Sequence, residues 1–172
     1  MSQPQSLEGP HPDRESLQVR CAVITVSDTR NFETDRSGQL IRDRLTWAGH
    51  SIVTYQILKD EPALIAETVL QLCQNPDIDA LLLNGGTGIA PRDTTYDAIT
   101  RLLDKTLPGF GELLRQLSFA EVGSRAMASR AIAGVCQGKL VFSMPGSSNA
   151  VSLALDSLIL PELIHLVTQL QK

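Results

Sequence analysis

The 172-residue sequence predicts an α/β fold, a three-layer α/β/α sandwich on a mostly parallel, Rossmann-like sheet. Three observations predict it. Continuous apolar runs such as Cys21–Val26 (CAVITV) and Ala80–Leu83 read as strands buried on both faces. Segments with apolar residues at helical spacing alternate with those runs. Gly, Pro, Asp and Ser fall at the junctions, where turns and helix caps need them. Strands that alternate with helices call for a parallel sheet covered on both faces.

The elements follow in order. The first strand stops at Ser27-Asp28, in a polar loop that runs through Asp35. Ser37 can cap a helix that carries Leu40, Ile41, Leu45 and Ala48 and ends near Gly49. Ile52–Leu58 alternates as a strand and ends at Lys59-Asp60-Glu61. Pro62 suits the first turn of a helix whose Leu64, Ile65, Val69 and Leu72 form one face. Ala80–Leu83 runs directly into a glycine loop, and Thr94 or Thr95 caps a short helix through Leu103. Phe110–Glu121 reads as another helix after Pro108-Gly109. Ala131–Val135 and Leu140–Met144, around Gln137-Gly138, read as a hairpin. Ser147 or Ser148 opens a final helix with Val151, Leu155, Leu158 and Ile159 inward, which Pro161 kinks or restarts.

Composition narrows the function classes. Hydrophobic residues at 42% and charged ones at 20% suit one soluble globular domain, taken as residues 19–172. A net charge of -4 without a Lys/Arg cluster argues against a nucleic-acid surface. No apolar run reaches about 18 residues, so no membrane-spanning helix is expected. Residues 1–18 are polar and proline-rich, with no apolar core of a secretory signal. They read as a flexible arm, either plain disorder or a grip on a partner copy. Cys21, Cys73 and Cys136 are far apart among apolar neighbours, as buried thiols in a reducing cytoplasm would be. His11, His50 and His165 have no ligand spacing, and no zinc site is expected.

Parallel strands end on one sheet edge, and ligands bind there. Ser27-Asp28, Asp60-Glu61, Gly85–Asp93 and Pro145-Gly146 all follow expected strands. If the last strand is parallel, these loops converge. The glycine loop, NGGTGIAPRD at Asn84–Asp93, lacks the lysine of a P-loop, and Pro91 obstructs a Rossmann fingerprint. Its place between a buried strand and a capped helix still aims backbone N–H groups at an anion. Taken singly, Arg92 reads as a solvated cation, Asp93 as a helix-dipole aspartate and Asp60 as a cap before Pro62. Taken together, two carboxylates beside a phosphate site repel the ligand unless a cation mediates. Mg²⁺ is the natural one, since it takes one or two carboxylates plus substrate phosphates. Ser129-Arg130 and Met144–Ser148 (MPGSS) add hydroxyls and a guanidinium; Phe110 has two readings, ligand stacking or core packing.

Six pieces together resemble the MogA/MoaB family of molybdenum cofactor biosynthesis proteins, also the fold of gephyrin's G and E domains. They are TVSD at Thr25–Asp28, DRSG at Asp35–Gly38, GGTG at Gly85–Gly88, PRDTT at Pro91–Thr95, PGFGE at Pro108–Glu112 and MPGS at Met144–Ser147. Leu117–Ser124 and Ser129–Val135 look closer to the MoaB branch. The resemblance implies trimers or pairs of trimers, with molybdopterin as ligand. It also implies Mg-ATP-dependent adenylylation of molybdopterin, with pyrophosphate released. The family's two acidic positions, catalytic and metal-holding, map onto Asp60 and Asp93. Its pterin-phosphate contacts map onto Gly85, Gly86, Thr87, Gly88, Ser129, Arg130, Pro145 and Gly146. Ser27, Asp28 and Arg92 join them on the rim, Arg92 serving either the ligand or only its neighbour Asp93. Asn84 stands where the family commonly has threonine, and it still offers hydrogen bonds. Some MoaB proteins have lost the PRD aspartate; here Asp93 is present, which favours an enzyme over the alternative, a non-catalytic molybdopterin-binding or carrier/scaffold oligomer.

Overall fold

The computed structural model describes residues 17–172. Its strands are β1 Arg20–Val26, β2 Ser51–Leu58, β3 Ala80–Asn84, β4 Lys105–Thr106, β5 Ile132–Cys136 and β6 Lys139–Met144. They form one sheet in the order β2-β1-β3-β6-β5-β4. The first four in that order are mutually parallel; β5 runs antiparallel to them, and the edge strand β4, antiparallel to β5, returns to their direction. Helices α1 Arg36–Trp47, α4 Pro108–Val122, α5 Ser148–Ala154 and α6 Leu160–Leu170 cover one face. α2 Pro62–Cys73 and α3 Thr95–Leu102 cover the other. This is the three-layer α/β/α sandwich the sequence predicts.

Side-chain alternation sorts the strand residues between two cores. Cys21, Val23, Leu82 and Phe142 pack on the α1 side, while Ala22, Ile24, Leu83 and Val141 pack on the α2 side. Both sets are buried, which is why these strands read as unbroken apolar runs. Cys21, Cys73 and Cys136 are buried free thiols, as their apolar neighbours suggest. Phe110 settles into the core, edge-on to Phe142 at 5.4 Å, and not into a ligand site. Of the expected N-terminal arm, residues 1–16 lie outside the described residues. Leu17 already packs on the core, and the Gln18 side chain donates to the Gly49 carbonyl at 3.2 Å.

Some details differ from the sequence reading. Asp35, not Ser37, caps α1, its carboxylate accepting from the Gly38 amide at 3.0 Å. β4 was not expected; two exposed residues carry no apolar pattern, and pairing with Gly134 and Val135 alone defines it. A 3₁₀ turn over Gly123–Ala128 also follows α4. Gln137 and Gly138 both have positive φ, at 49° and 77°, and turn the β5–β6 hairpin with its native twist. α5 and α6 join through a π-helical turn, Leu155–Ile159, just ahead of Pro161. The joined helix, Ser148–Leu170, is long and apolar enough by composition to cross a membrane, contrary to the expectation from run length. Val151, Leu155, Ile159, Leu163 and Val167 lie along it within the core, so one face of it packs against the sheet.

His50, at 5% exposure, accepts the Val19 amide through Nδ1 at 3.2 Å. Burial holds its pKa below the ordinary histidine value. A depressed folded pKa means the unfolded chain binds the proton more readily. The contribution is therefore full above about pH 6.5 and lost as pH falls through the folded value. We expect urea unfolding to show falling stability from about pH 7 to about pH 5, with His50→Gln flattening that fall. Parallel pH profiles for the two proteins would assign the effect elsewhere.

Candidate functional site

The parallel register sets Val26 beside Leu58, Thr25 beside Asn84 and Asn84 beside Met144. Four strands thus end level, and their loops line a cleft of about 650 Å³. That volume suits a small-molecule ligand. The end of α4 and the 3₁₀ turn form the opposite wall. Ser27, Asp28, Asp60, Gly85, Gly86, Thr87, Gly88, Arg92, Asp93, Ser129, Pro145 and Gly146 all line it. Arg130 does not.

The glycine loop departs from β3 over a buried polar anchor. Asn84 is fully buried, and its side-chain amide donates to the Thr25 hydroxyl at 2.8 Å. Gly85 then takes φ +93°, where an added Cβ would stand 2.2 Å from the Val26 carbonyl. Only glycine meets both demands. Gly86 follows at φ +63° and returns its carbonyl to the Thr95 amide at 2.9 Å. The amides of Gly86, Thr87 and Gly88 donate to no group among the described residues. Consecutive free amides in such a bend form an anion-binding concavity.

Both aspartates stand against this loop. Asp60 is 7% exposed; its Oδ1 accepts from the Thr94 amide at 3.1 Å and the Thr94 hydroxyl at 2.6 Å. Its Oδ2 is only 2.4 Å from where a Gly86 Cβ would be, and Asp93 Oδ2 is 2.5 Å from the same point on Gly88. Asp93 Oδ2 also accepts from the Ala90 amide at 2.9 Å. Neither carboxylate has an ion-pair partner among the described residues. Arg92 turns instead to Asp28 Oδ2, at 2.7 Å and 3.1 Å, so it serves a neighbour across the rim and not Asp93. Those bonds, with the Asp60 amide on Oδ1, hold the Asp28 carboxyl below its usual range. The Ser27 hydroxyl shapes the loop by accepting from the Thr29 and Arg30 amides.

Two residues act differently from their sequence reading. Arg130 donates to the Gly88 carbonyl at 3.2 Å, pairs with Asp97 at 2.7 Å and stacks on Tyr96. It braces the glycine loop from outside the cleft. Arg30, which the sequence reading passed over, lines the cleft and donates to the Gly146 carbonyl at 3.1 Å. Its other end meets Ser37 and, at 3.4 Å, the fully buried Asp35 carboxylate. Burial would raise the Asp35 pKa, but bonds from Thr25, Tyr55, the Gly38 amide and Arg30 outweigh it and hold the group low. Tyr55, by burial and by donating to Asp35, is pushed up to about 12. No spacing signal marks Arg30, because its partners lie on α1 and in the turn after β6.

Known proteins resemble this chain along most of its length. The family described as "Probable molybdopterin binding domain" matches residues 22–165. The chain belongs to the MogA/MoaB family of molybdenum cofactor biosynthesis proteins. Within it, a Bacillus subtilis protein named molybdenum cofactor biosynthesis protein B is 57% identical over 155 residues, covering 90% of this chain and 91% of that one. A crystal structure of a molybdenum cofactor biosynthesis protein B superposes with TM-score 0.88 at 52% identity, covering 90% of this chain and 97% of the other. A MogA structure superposes at 0.78 with 28% identity, covering 88% and 99%. Those identities set the chain nearer to the MoaB-named members.

The two loop glycines separate fold from site. Gly85→Ala forces a Cβ into the Val26 carbonyl at positive φ and should lower unfolding free energy by ~2 kcal/mol or more. At Gly88 the obstruction is the Asp93 carboxylate, a side chain that can swing away. Gly88→Ala should therefore cost less than about 1 kcal/mol while displacing Asp93. Equilibrium denaturation checks the pair; equal losses would remove the distinction.

Proposed function

We propose that the chain adenylylates molybdopterin with Mg-ATP. The observation that carries this reading is the glycine loop itself: three amides that donate to no group among the described residues, in a cleft beside two carboxylates without cation partners among them. The amides suit the terminal phosphate of the pterin. In the reaction, a phosphate oxygen forms a bond to the α-phosphorus of ATP. The bond from that phosphorus to the bridging oxygen breaks, and pyrophosphate leaves with the electron pair. The attacking group is already anionic, so no general base is needed; positioning and charge neutralisation supply the rate.

The residues present also fit Mg²⁺. The Thr95 hydroxyl is buried without a partner among the described residues, and it and Asp60 Oδ2 both lie within 2.4 Å of the space a Gly86 Cβ would fill. Among the described residues no group of three or more His, Cys, Asp or Glu could hold a metal. A pair of carboxylates completed by substrate phosphates is the set Mg²⁺ commonly uses. Asp60 and Asp93 would hold it, and when bound it offsets phosphate charge. This chain's own part is to keep the Asp60 carboxylate fixed through Thr94 and Asp93 through Ala90.

Exposed apolar side chains support assembly of identical chains, as a trimer or a pair of trimers. Phe119 is 63% exposed and Met127 87%, with Leu113 and Val122 on the same helix and turn. Light scattering should give a mass above that of one chain, and Phe119→Glu with Met127→Glu should shift it downward. A monomer at every concentration would sink this part of the reading.

The reaction is tested by supplying molybdopterin, ATP and Mg²⁺ and following adenylylated pterin and pyrophosphate. Asp93→Asn should keep pterin binding within about threefold while turnover falls 100-fold or more. A wild-type chain that binds the pterin yet forms no product would leave the non-catalytic binding or scaffold role.

A further inference from the structure

The cleft's positive charge is unevenly committed. Three arginines line it: Arg30, Arg92 and Arg125. Arg30 is tied to Asp35 and the Gly146 carbonyl, and Arg92 to Asp28. The Arg125 side chain makes no hydrogen bond, ion pair or ring contact among the described residues. It is exposed, on the 3₁₀ turn that forms the wall opposite the glycine loop. The nearest acid in sequence, Glu121, accepts instead from the Asn149 side chain at 2.5 Å.

The same cleft holds Asp28, Asp60, Asp93 and Glu121. Four carboxylates against three guanidinium groups leave the lining at a formal charge of -1, which repels a phosphate ligand. The loop amides can receive one phosphate. Any further phosphate oxygen must find its donor elsewhere, and two of the three guanidinium groups are occupied by protein acceptors. A free guanidinium offers paired N–H donors in a planar fork, the geometry that phosphate oxygens accept.

We propose that Arg125 is a ligand-binding residue, which takes phosphate oxygens of a bound ligand from the wall facing the glycine loop. The inference rests on the adenylylation reading for the identity of the ligands, pterin phosphate or nucleotide polyphosphate. The shared chemistry is a phosphate oxyanion. Arg125 is outside the two-carboxylate set and touches neither aspartate, so its contribution is to affinity and orientation.

Binding is measured by titration calorimetry, with Mg-ATP alone in one arm and molybdopterin alone in the other. Arg125→Ala should weaken one ligand about tenfold or more, and the arm affected identifies the phosphate concerned. Arg125→Lys should restore only part, because it keeps the charge and loses the fork. Arg101→Ala removes the same charge from an exposed site on α3 outside the cleft and should leave both affinities within twofold. Thermal midpoints of all variants should match, since the Arg125 side chain makes no hydrogen bond or ion pair among the described residues. Unchanged affinity for both ligands in Arg125→Ala overturns the inference alone. Equal losses in the Arg125 and Arg101 variants also overturn it, by reducing the effect to net charge. A wild-type chain that binds neither ligand overturns the adenylylation reading and this inference together.

Discussion

Where β1, β3 and β6 end, backbone meets backbone with no room for a methyl group. Gly85 lies under the Val26 carbonyl, and a Cβ on Gly146 would come within 3.0 Å of the Gly85 Cα. This close approach organises the whole cleft. It brings the strand ends level and leaves the next residues along each chain to supply chemistry. Asp28 follows β1 by two residues, Asp60 follows β2 by two, and both reach the same rim. The side chains can be polar because the glycines hold the loops together without them.

The acids near this rim meet three fates. Asp35 is buried and saturated with donors, and it anchors α1, β2 and Arg30 at once. Asp28 is neutralised by Arg92. Asp60 and Asp93 face the cleft with hydrogen bonds but no ion-pair partner among the described residues. An arginine beside Asp93 in sequence thus leaves its neighbour negative by turning to a different loop. Backbone amides, which carry no formal charge, can attract a phosphate without collapsing onto these carboxylates.

Much of this was legible in the sequence. β1, β3 and β6 are buried on both faces, so composition alone marked them, and Gln137-Gly138 declared its hairpin through a positive-φ pair. The glycine loop was legible because only glycine tolerates its conformation. β4 was not, since its two exposed residues have no pattern of their own. Asp35 and Ser37 are equally good caps by residue type, and the choice between them depends on Tyr55 and Thr25 from other strands. Arg30 and Arg130 illustrate the same limit. A guanidinium reaches far enough that its partner, 116 residues away for Arg30 and 42 for Arg130, cannot be read from its neighbours.

The π turn at Leu155–Ile159 bears on how this architecture tolerates change. One extra residue per turn shifts the phase of everything beyond it by about 100°. The Ser147-capped end of α5 faces the cleft, while α6 presents Leu163 and Val167 to the core. A continuous α-helix would lock the rotational setting of one end to that of the other. The widened turn sets a fixed offset between them: α5 keeps Val151 and Ala154 in the core and α6 keeps Leu163 and Val167 there, while the Ser147 cap stays at the cleft.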